Sequence, residues 1–137
     1  MSGKALLLGP MRFVLDGESL VPPVRHGATL VAYLAWRNAW TGRDEAAALL
    51  WADRPQEVAR RNLRQALFRL RRSPLGAHLE IASDRVRFSG ESDVAWFRAA
   101  IAAADWATAL DLWRGPFLDG WSLPDAPDVD RWIASRR

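Results

Sequence analysis

The side chains best equipped for chemistry crowd into one short stretch. Arg60, Arg61, Asn62, Arg64, Gln65, Phe68, Arg69, Arg71 and Arg72 follow one another closely, and no Asp or Glu stands between Val58 and Arg72. A guanidinium donates in a planar fork that fits phosphate oxygens or the O6/N7 edge of guanine. Asn or Gln pairs in the same bidentate way with adenine, and an aromatic ring can touch a thymine methyl. Together they are the groups that read a duplex.

That chemistry needs a helix with an apolar back. At about 100° per residue, Leu63, Leu67 and Leu70 fall in a narrow arc joined by Ala59 and Ala66. Arg61, Gln65 and Arg72 lie opposite, with Phe68 and Arg69 beside them and Asn62 and Arg64 on the flanks. Pro55 suits the first turn, and Pro74 and Gly76 end the helix. A helix of this kind fits the major groove, with phosphates on either side. The plainer alternative is a solvated arginine face. Such faces usually mix signs through i,i+4 acid–base pairs, and from Val58 to Arg72 there is no acid, so like charges repel along the helix unless an anion binds. Phe68 has three readings, a base contact, a contact with a second domain or an ordinary exposed aromatic.

The flanking elements set the helix in place. Ala5–Leu8, Arg12–Leu15 and Ser19–Val21 read as short strands, with turns at Gly9-Pro10 and Asp16-Gly17. A helix is expected from Gly27 to Asn38, with Leu30, Val31 and Leu34 on one stripe. Thr41, with Asp44 three residues on, predicts a capped helix over Arg43–Trp51. After the arginine helix, Leu79–Ala82 and Arg85–Phe88 predict a hairpin turning at Ser83-Asp84. There Val86 and Phe88 point inward and Arg85 and Arg87 outward. Two helices and a short turn, the second helix basic, followed by a hairpin, make a helix-turn-helix with a wing. The outward arginines serve either DNA or the protection of an edge strand.

Ser89–Ser92 reads as a linker. Beyond it, Asp93 is expected to cap a helix Val94–Ala104 and Asp105 a helix Trp106–Trp113. A last helix starts near Asp128 and still runs at Arg137, so a fragment of a longer protein is expected. The chain therefore divides into residues 1–90 and residues 91–137. The fold class is α+β, with an N-terminal antiparallel sheet, a C-terminal β-hairpin wing and a small all-α segment.

Charge follows the same division. Residues 1–88 hold fourteen Lys and Arg against eight Asp and Glu, whereas residues 89–137 hold five against eight. A basic first part suits a polyanion, and the second part has a different job. Every basic residue but Lys4 is arginine. Coding bias alone can produce that preference, but not the clustering.

Other classes are disfavoured. Cysteine is absent and His26 and His78 are the sole imidazoles, so neither a disulfide framework nor a zinc site is expected. There is no Gly-rich phosphate loop and no triad pattern, so neither an enzyme nor a cofactor is expected. Both histidines read as surface or capping residues. No apolar run is long enough to span a membrane, and no signal peptide is evident, so a cytoplasmic protein is expected. RNA readers usually expose several aromatics on a sheet, and the N-terminal segment offers Phe13 alone. The strongest rival is a protein–protein module. Trp96, Trp106, Trp113, Trp121 and Trp132 form either an interaction surface or the packing of helix pairs.

The order of these pieces resembles the SARP-type bacterial transcriptional activators (antibiotic regulatory proteins). In that family an OmpR-like winged-helix domain precedes a bacterial transcriptional activator domain. The matching residues are Leu6-Leu7-Leu8-Gly9-Pro10, Arg43-Asp44-Glu45 with Leu49-Leu50-Trp51, the run Ala59–Arg72, and Leu79 with Asp84-Arg85-Val86. Downstream they are Asp93-Val94, Phe97, Leu112–Gly120, Leu123-Pro124-Asp125, Trp132 and Arg136. The resemblance implies a four-stranded N-terminal sheet, three helices, a hairpin and a tetratricopeptide-like segment. It also implies an activator that binds direct repeats in promoter DNA, as a homo-oligomer there, and contacts RNA polymerase. Carried over by position, Arg61, Asn62, Gln65 and Arg69 face bases. Arg60, Arg64, Arg71 and Arg72 meet phosphates, and Arg85 and Arg87 belong to the wing.

Overall fold

In the computed structural model, which describes residues 2–137, the chain opens with strands β1 (Gly3–Leu6), β2 (Arg12–Leu15) and β3 (Glu18–Leu20). Asp16 and Gly17 both take positive φ, 50° and 85°, which matches the right-handed twist of the strands they join. β1 pairs antiparallel with β2, from Gly3 opposite Leu15 to Leu6 opposite Arg12, and β3 adds to β2. The strand expected at Ser19–Val21 thus sits one residue earlier, and Val21 is exposed.

A fourth strand completes this sheet from an unexpected place. β7 (Glu91–Ser92) pairs parallel with β1, Lys4 opposite Glu91 and Ala5 opposite Ser92. The segment read as a linker is therefore part of the sheet. Two residues carry no periodicity, so no local pattern announces such a strand.

Helix α1 (His26–Arg37) follows, with every residue from Ala28 to Ala35 buried. It ends at Asn38, in the left-handed region that Asn tolerates. The single stripe expected of it understates its burial, because other elements cover its remaining sides. Next come β4 (Thr41–Gly42), α2 (Arg43–Leu50) and α3 (Gln56–Arg71). Thr41 does not cap α2. It is fully buried in β4, opposite Val86, and Gly42 stands at the N-cap without a side-chain bond. Strand pairing has claimed the residue that local signals assign to the cap.

A 3-10 turn (Pro74–His78) leads into β5 (Leu79–Ile81) and β6 (Arg85–Phe88). β6 lies between β5 and β4 in a second, three-stranded sheet. His78, expected at the surface, is buried, and a Cβ on Gly3 would meet its ring at 2.6 Å.

Helices α4 (Asp93–Ala102), α5 (Trp106–Leu112) and α6 (Pro127–Ser135) complete the chain. Asp105 caps α5 as expected, accepting from the Thr108 N–H. Asp93 does not cap α4; Ser92 does, accepting from the Ala95 N–H. α4 packs on α5, but Trp121 and Trp132 turn the other way, onto α1. The Trp121 indole donates to Thr29 Oγ1 at 2.8 Å. Tyr33, Trp36 and Phe117 meet the Trp132 ring edge-on, with centroids 5.1–5.5 Å away. Packing within a helix pair therefore does not account for these two tryptophans. Gly9, at φ +118°, lets the 114–120 loop close on β1, donating its N–H to the Pro116 carbonyl. As a result Phe13, Leu34, Leu63, Val94, Trp121 and Val129 share one apolar cluster that spans position 90.

Candidate nucleic-acid interface

α3 is amphipathic as its spacing requires. Ala59, Leu63, Ala66, Leu67 and Leu70 are buried. Arg60, Arg61, Arg64, Gln65, Phe68, Arg69, Arg71 and Arg72 are exposed, and Asn62 is half-buried. Burying five side chains on one stripe holds the helix on the core and leaves the opposite stripe no role in packing. Arg61, Arg64, Gln65, Phe68 and Arg69 line one shallow depression on that face. Phe68 is 61% exposed, so it meets no second domain within this chain. The Arg72 guanidinium lies 5.6 Å from its ring centroid.

Asn62, Gln65 and Arg69 also edge a larger groove of about 840 Å³, closed on its far side by Pro124 and Asp125. His26 lines it, stacked on Trp51 with ring centroids 5.1 Å apart and its Nε2 3.5 Å from an Asp125 oxygen.

The electrostatics of the face are uneven. Among the described residues, Arg61, Arg64, Arg69, Arg71 and Arg72 make no ion pair. Arg60 is different. Its Nε and Nη2 donate to the two oxygens of Asp44 at 2.9 and 3.0 Å. This hydrogen bonding lowers the Asp44 carboxyl and raises the Arg60 guanidinium from their ordinary values, so the pair is fully charged at neutral pH. Glu57, in the first turn of α3, makes no ion pair with these arginines among the described residues; the acid that pairs with Arg60 comes from α2.

α2 is held by its own contacts. Glu45 accepts from the Tyr33 hydroxyl at 3.2 Å and from Arg37 Nη1 at 3.0 Å, which ties the helix to α1. Burial first, and Glu45 second, raises the Tyr33 hydroxyl above its ordinary value. The Arg43 guanidinium donates to the Ala82 carbonyl, and the Arg43 N–H to that of Asp84, which fixes the start of α2 against the hairpin turn. A cleft of about 490 Å³ runs between them, lined by Arg43, Asp44, Arg60, Arg64, Ser83 and Asp84. The α3 face and the hairpin turn are thus two edges of one surface.

In the hairpin, Val86 and Phe88 are buried and Arg85 is exposed. Arg87 is half-buried and donates to both oxygens of Glu80 at 3.0 Å. Glu80 and Arg87 are direct partners across β5 and β6. The alternation around Ser83-Asp84 carries that register, so this pair was findable from sequence. Both hairpin guanidiniums lie over the Trp40 ring, Arg85 at 4.5 Å and Arg87 at 4.7 Å from its centroid. No sequence signal tied Trp40 or Asp44 to the interface arginines, because both act there through contacts with other elements.

No family model matches the chain, and no curated protein does. A solved structure does: Mycobacterium tuberculosis EmbR in complex with a low affinity phosphopeptide, at TM-score 0.67 and 26% identity. The match covers 98% of this chain, which spans 41% of that one. The fold is therefore SARP-like and mixed α+β, with six α-helices and two sheets among the described residues. Among the described residues, no helix is long and apolar enough to cross a membrane.

Proposed function

We propose that this chain is a sequence-specific double-stranded DNA-binding module of a transcriptional regulator. In this reading α2, the turn and α3 form a helix-turn-helix, and the β5–β6 hairpin is its wing. α3 lies in the major groove, where Arg61, Asn62, Gln65 and Arg69 face bases and Arg64, Arg71 and Arg72 meet phosphates. Arg60 joins the phosphate contacts by exchanging Asp44 for a phosphate. The wing lies against the flanking backbone or minor groove and presents Arg85 there, while Arg87 is held by Glu80.

The observation that carries this reading is the set of four arginines on α3, with Arg72 at its C-cap, that make no ion pair among the described residues. Arginines one helical turn apart repel, and an external polyanion removes that repulsion. The likeness to EmbR, a SARP-family regulator, supports the same reading and extends it. By the resemblance to SARP-type activators the protein is a cytoplasmic activator that binds direct repeats, oligomerises on them and contacts RNA polymerase. Residues 91–137 are then the start of a tetratricopeptide-like activator segment.

The test is binding to duplex DNA of random sequence across a salt series, followed by selection of bound sequences from a random pool. Affinity is expected to fall steeply with salt, and selection to return a short motif and its repeat spacing. Binding that ignores salt, or selection without enrichment, overturns the reading.

A protein–protein module is the second reading. It is favoured by Ile101, Trp106, Leu110 and Trp113, which are 42–75% exposed on or beside α4 and α5. Salt-indifferent self-association with no DNA binding is the result that supports it.

A further inference from the structure

The two wing arginines are not equivalent, and a tryptophan outside the hairpin divides their work. β4 runs antiparallel to β6 with Thr41 opposite Val86 and Gly42 opposite Arg85. One further step in this register sets Trp40 beside Arg87. Arg85 then faces a glycine, and a Cβ on Gly42 would meet nothing within 4 Å. With that space open, the Arg85 side chain reaches the diagonal neighbour, Trp40, and its guanidinium lies 4.5 Å from the ring centroid. Arg87 shares the same ring at 4.7 Å, but Glu80 holds and neutralises it. Arg85 has no acidic partner among the described residues.

We infer that Trp40 is the positioning residue of the wing, holding Arg85 as its one free cation while the Glu80–Arg87 pair serves the hairpin itself. This rests on the DNA-binding reading above. An exposed arginine at the end of a strand beside a two-residue turn otherwise samples many rotamers, and ordering it on binding costs affinity. The face of an indole is the best aromatic platform for a guanidinium. Stacking there orders the side chain before DNA arrives and leaves its N–H donors free around the ring edge for phosphate or minor-groove acceptors. The cation count of the wing is then one, not the two that the sequence suggests.

The test uses the full chain and short random duplex DNA, with affinity measured across a salt series and folding checked by thermal unfolding. Arg85→Ala is expected to weaken binding about tenfold and to lower the salt slope by about one. Trp40→Leu keeps apolar bulk but removes the π face. It is expected to weaken binding about two- to tenfold with the slope unchanged, because the charge is still present but no longer ordered. Trp40→Phe restores most of the loss. Trp40→Leu in an Arg85→Ala background adds nothing further. Glu80→Gln combined with Arg87→Gln leaves the slope as in the wild type.

A Trp40→Leu protein that binds like the wild type overturns the inference. So does an equal further loss in the Arg85→Ala background, which marks a purely structural tryptophan, or a slope that drops when Glu80 and Arg87 are replaced together. In each of these cases the wild type still binds DNA and the functional reading stands. A wild type that shows no salt-dependent binding removes both.

Discussion

Asp93 accepts the backbone N–H groups of Leu7 and Leu8, at 2.7 and 2.9 Å, from the start of a helix that lies more than eighty residues away in the chain. The residue is 1% exposed. The bond pair holds α4 to the end of β1, just where the parallel strand β7 joins the first sheet. Removing the carboxylate leaves two buried donors without acceptors. Asp93→Ala is therefore expected to destabilise the protein by about 2 kcal/mol or more, at roughly 1–3 kcal/mol for each buried unsatisfied group. Urea unfolding measures it. A loss below about 0.5 kcal/mol, within the ordinary range for surface substitutions, means that water or a backbone shift replaces both bonds.

The same residue has a pH signature. Burial raises the Asp93 carboxyl above its ordinary value, and the N–H groups of Leu7 and Leu8 and the charge on Arg114 only partly offset this. With the folded value above the unfolded one, the folded state holds more protons in the window between them. Stability from this group is full below the ordinary carboxylate value and falls as pH rises through the raised one. The stability of the wild type relative to Asp93→Asn is expected to decline from about pH 4 upward. A difference that grows with pH reverses the sign of the shift.

Base and phosphate contacts on α3 are separable. Replacing Arg61 or Gln65 by Ala is expected to cost about 1–3 kcal/mol on a selected site and to relax preference at one position of it. Arg72→Ala is expected to weaken all sequences alike and to lower the salt slope by about one. Competition between the selected duplex and a scrambled one distinguishes the two classes. If all three variants lose the same factor on both duplexes, α3 does not read bases.

Asp44 competes with DNA for Arg60. Both groups are exposed, so exchange of partner costs little. Asp44→Asn frees the guanidinium and removes a carboxylate from the interface cleft. Non-specific affinity is expected to rise, with a salt slope steeper by about one. An unchanged slope in anisotropy titrations places Arg60 away from the duplex.

The contact of Trp121 with α1 is polar as well as apolar. Thr29 Oγ1 accepts from the indole while its own proton goes to the Arg25 carbonyl at 2.8 Å. Trp121→Phe keeps most of the ring and deletes the donor. A loss of about 1 kcal/mol is expected, from the unpaired buried acceptor and the missing ring volume. Chemical denaturation reads it, and a neutral result assigns the contact to packing alone.

Local spacing by itself determined the amphipathic α3, the hairpin register, the Asp16-Gly17 turn and the Asp105 cap. Each depends on residues within a few positions of one another, where helical and strand periodicity leave little choice. The fourth strand of the first sheet, the burial of Thr41 and the partners of Asp93, Trp121 and Trp132 came from the tertiary structure, because their decisive contacts cross from one element to another. The interface divides in the same way. Its cationic stripe was written in sequence, as an arginine run with leucines behind it. Which of those cations are free was decided only by folding, which sets Asp44 against Arg60 from another helix and Trp40 under Arg85 from another strand. Charges pair through space over a few ångströms, and residues distant in the chain supply the partners.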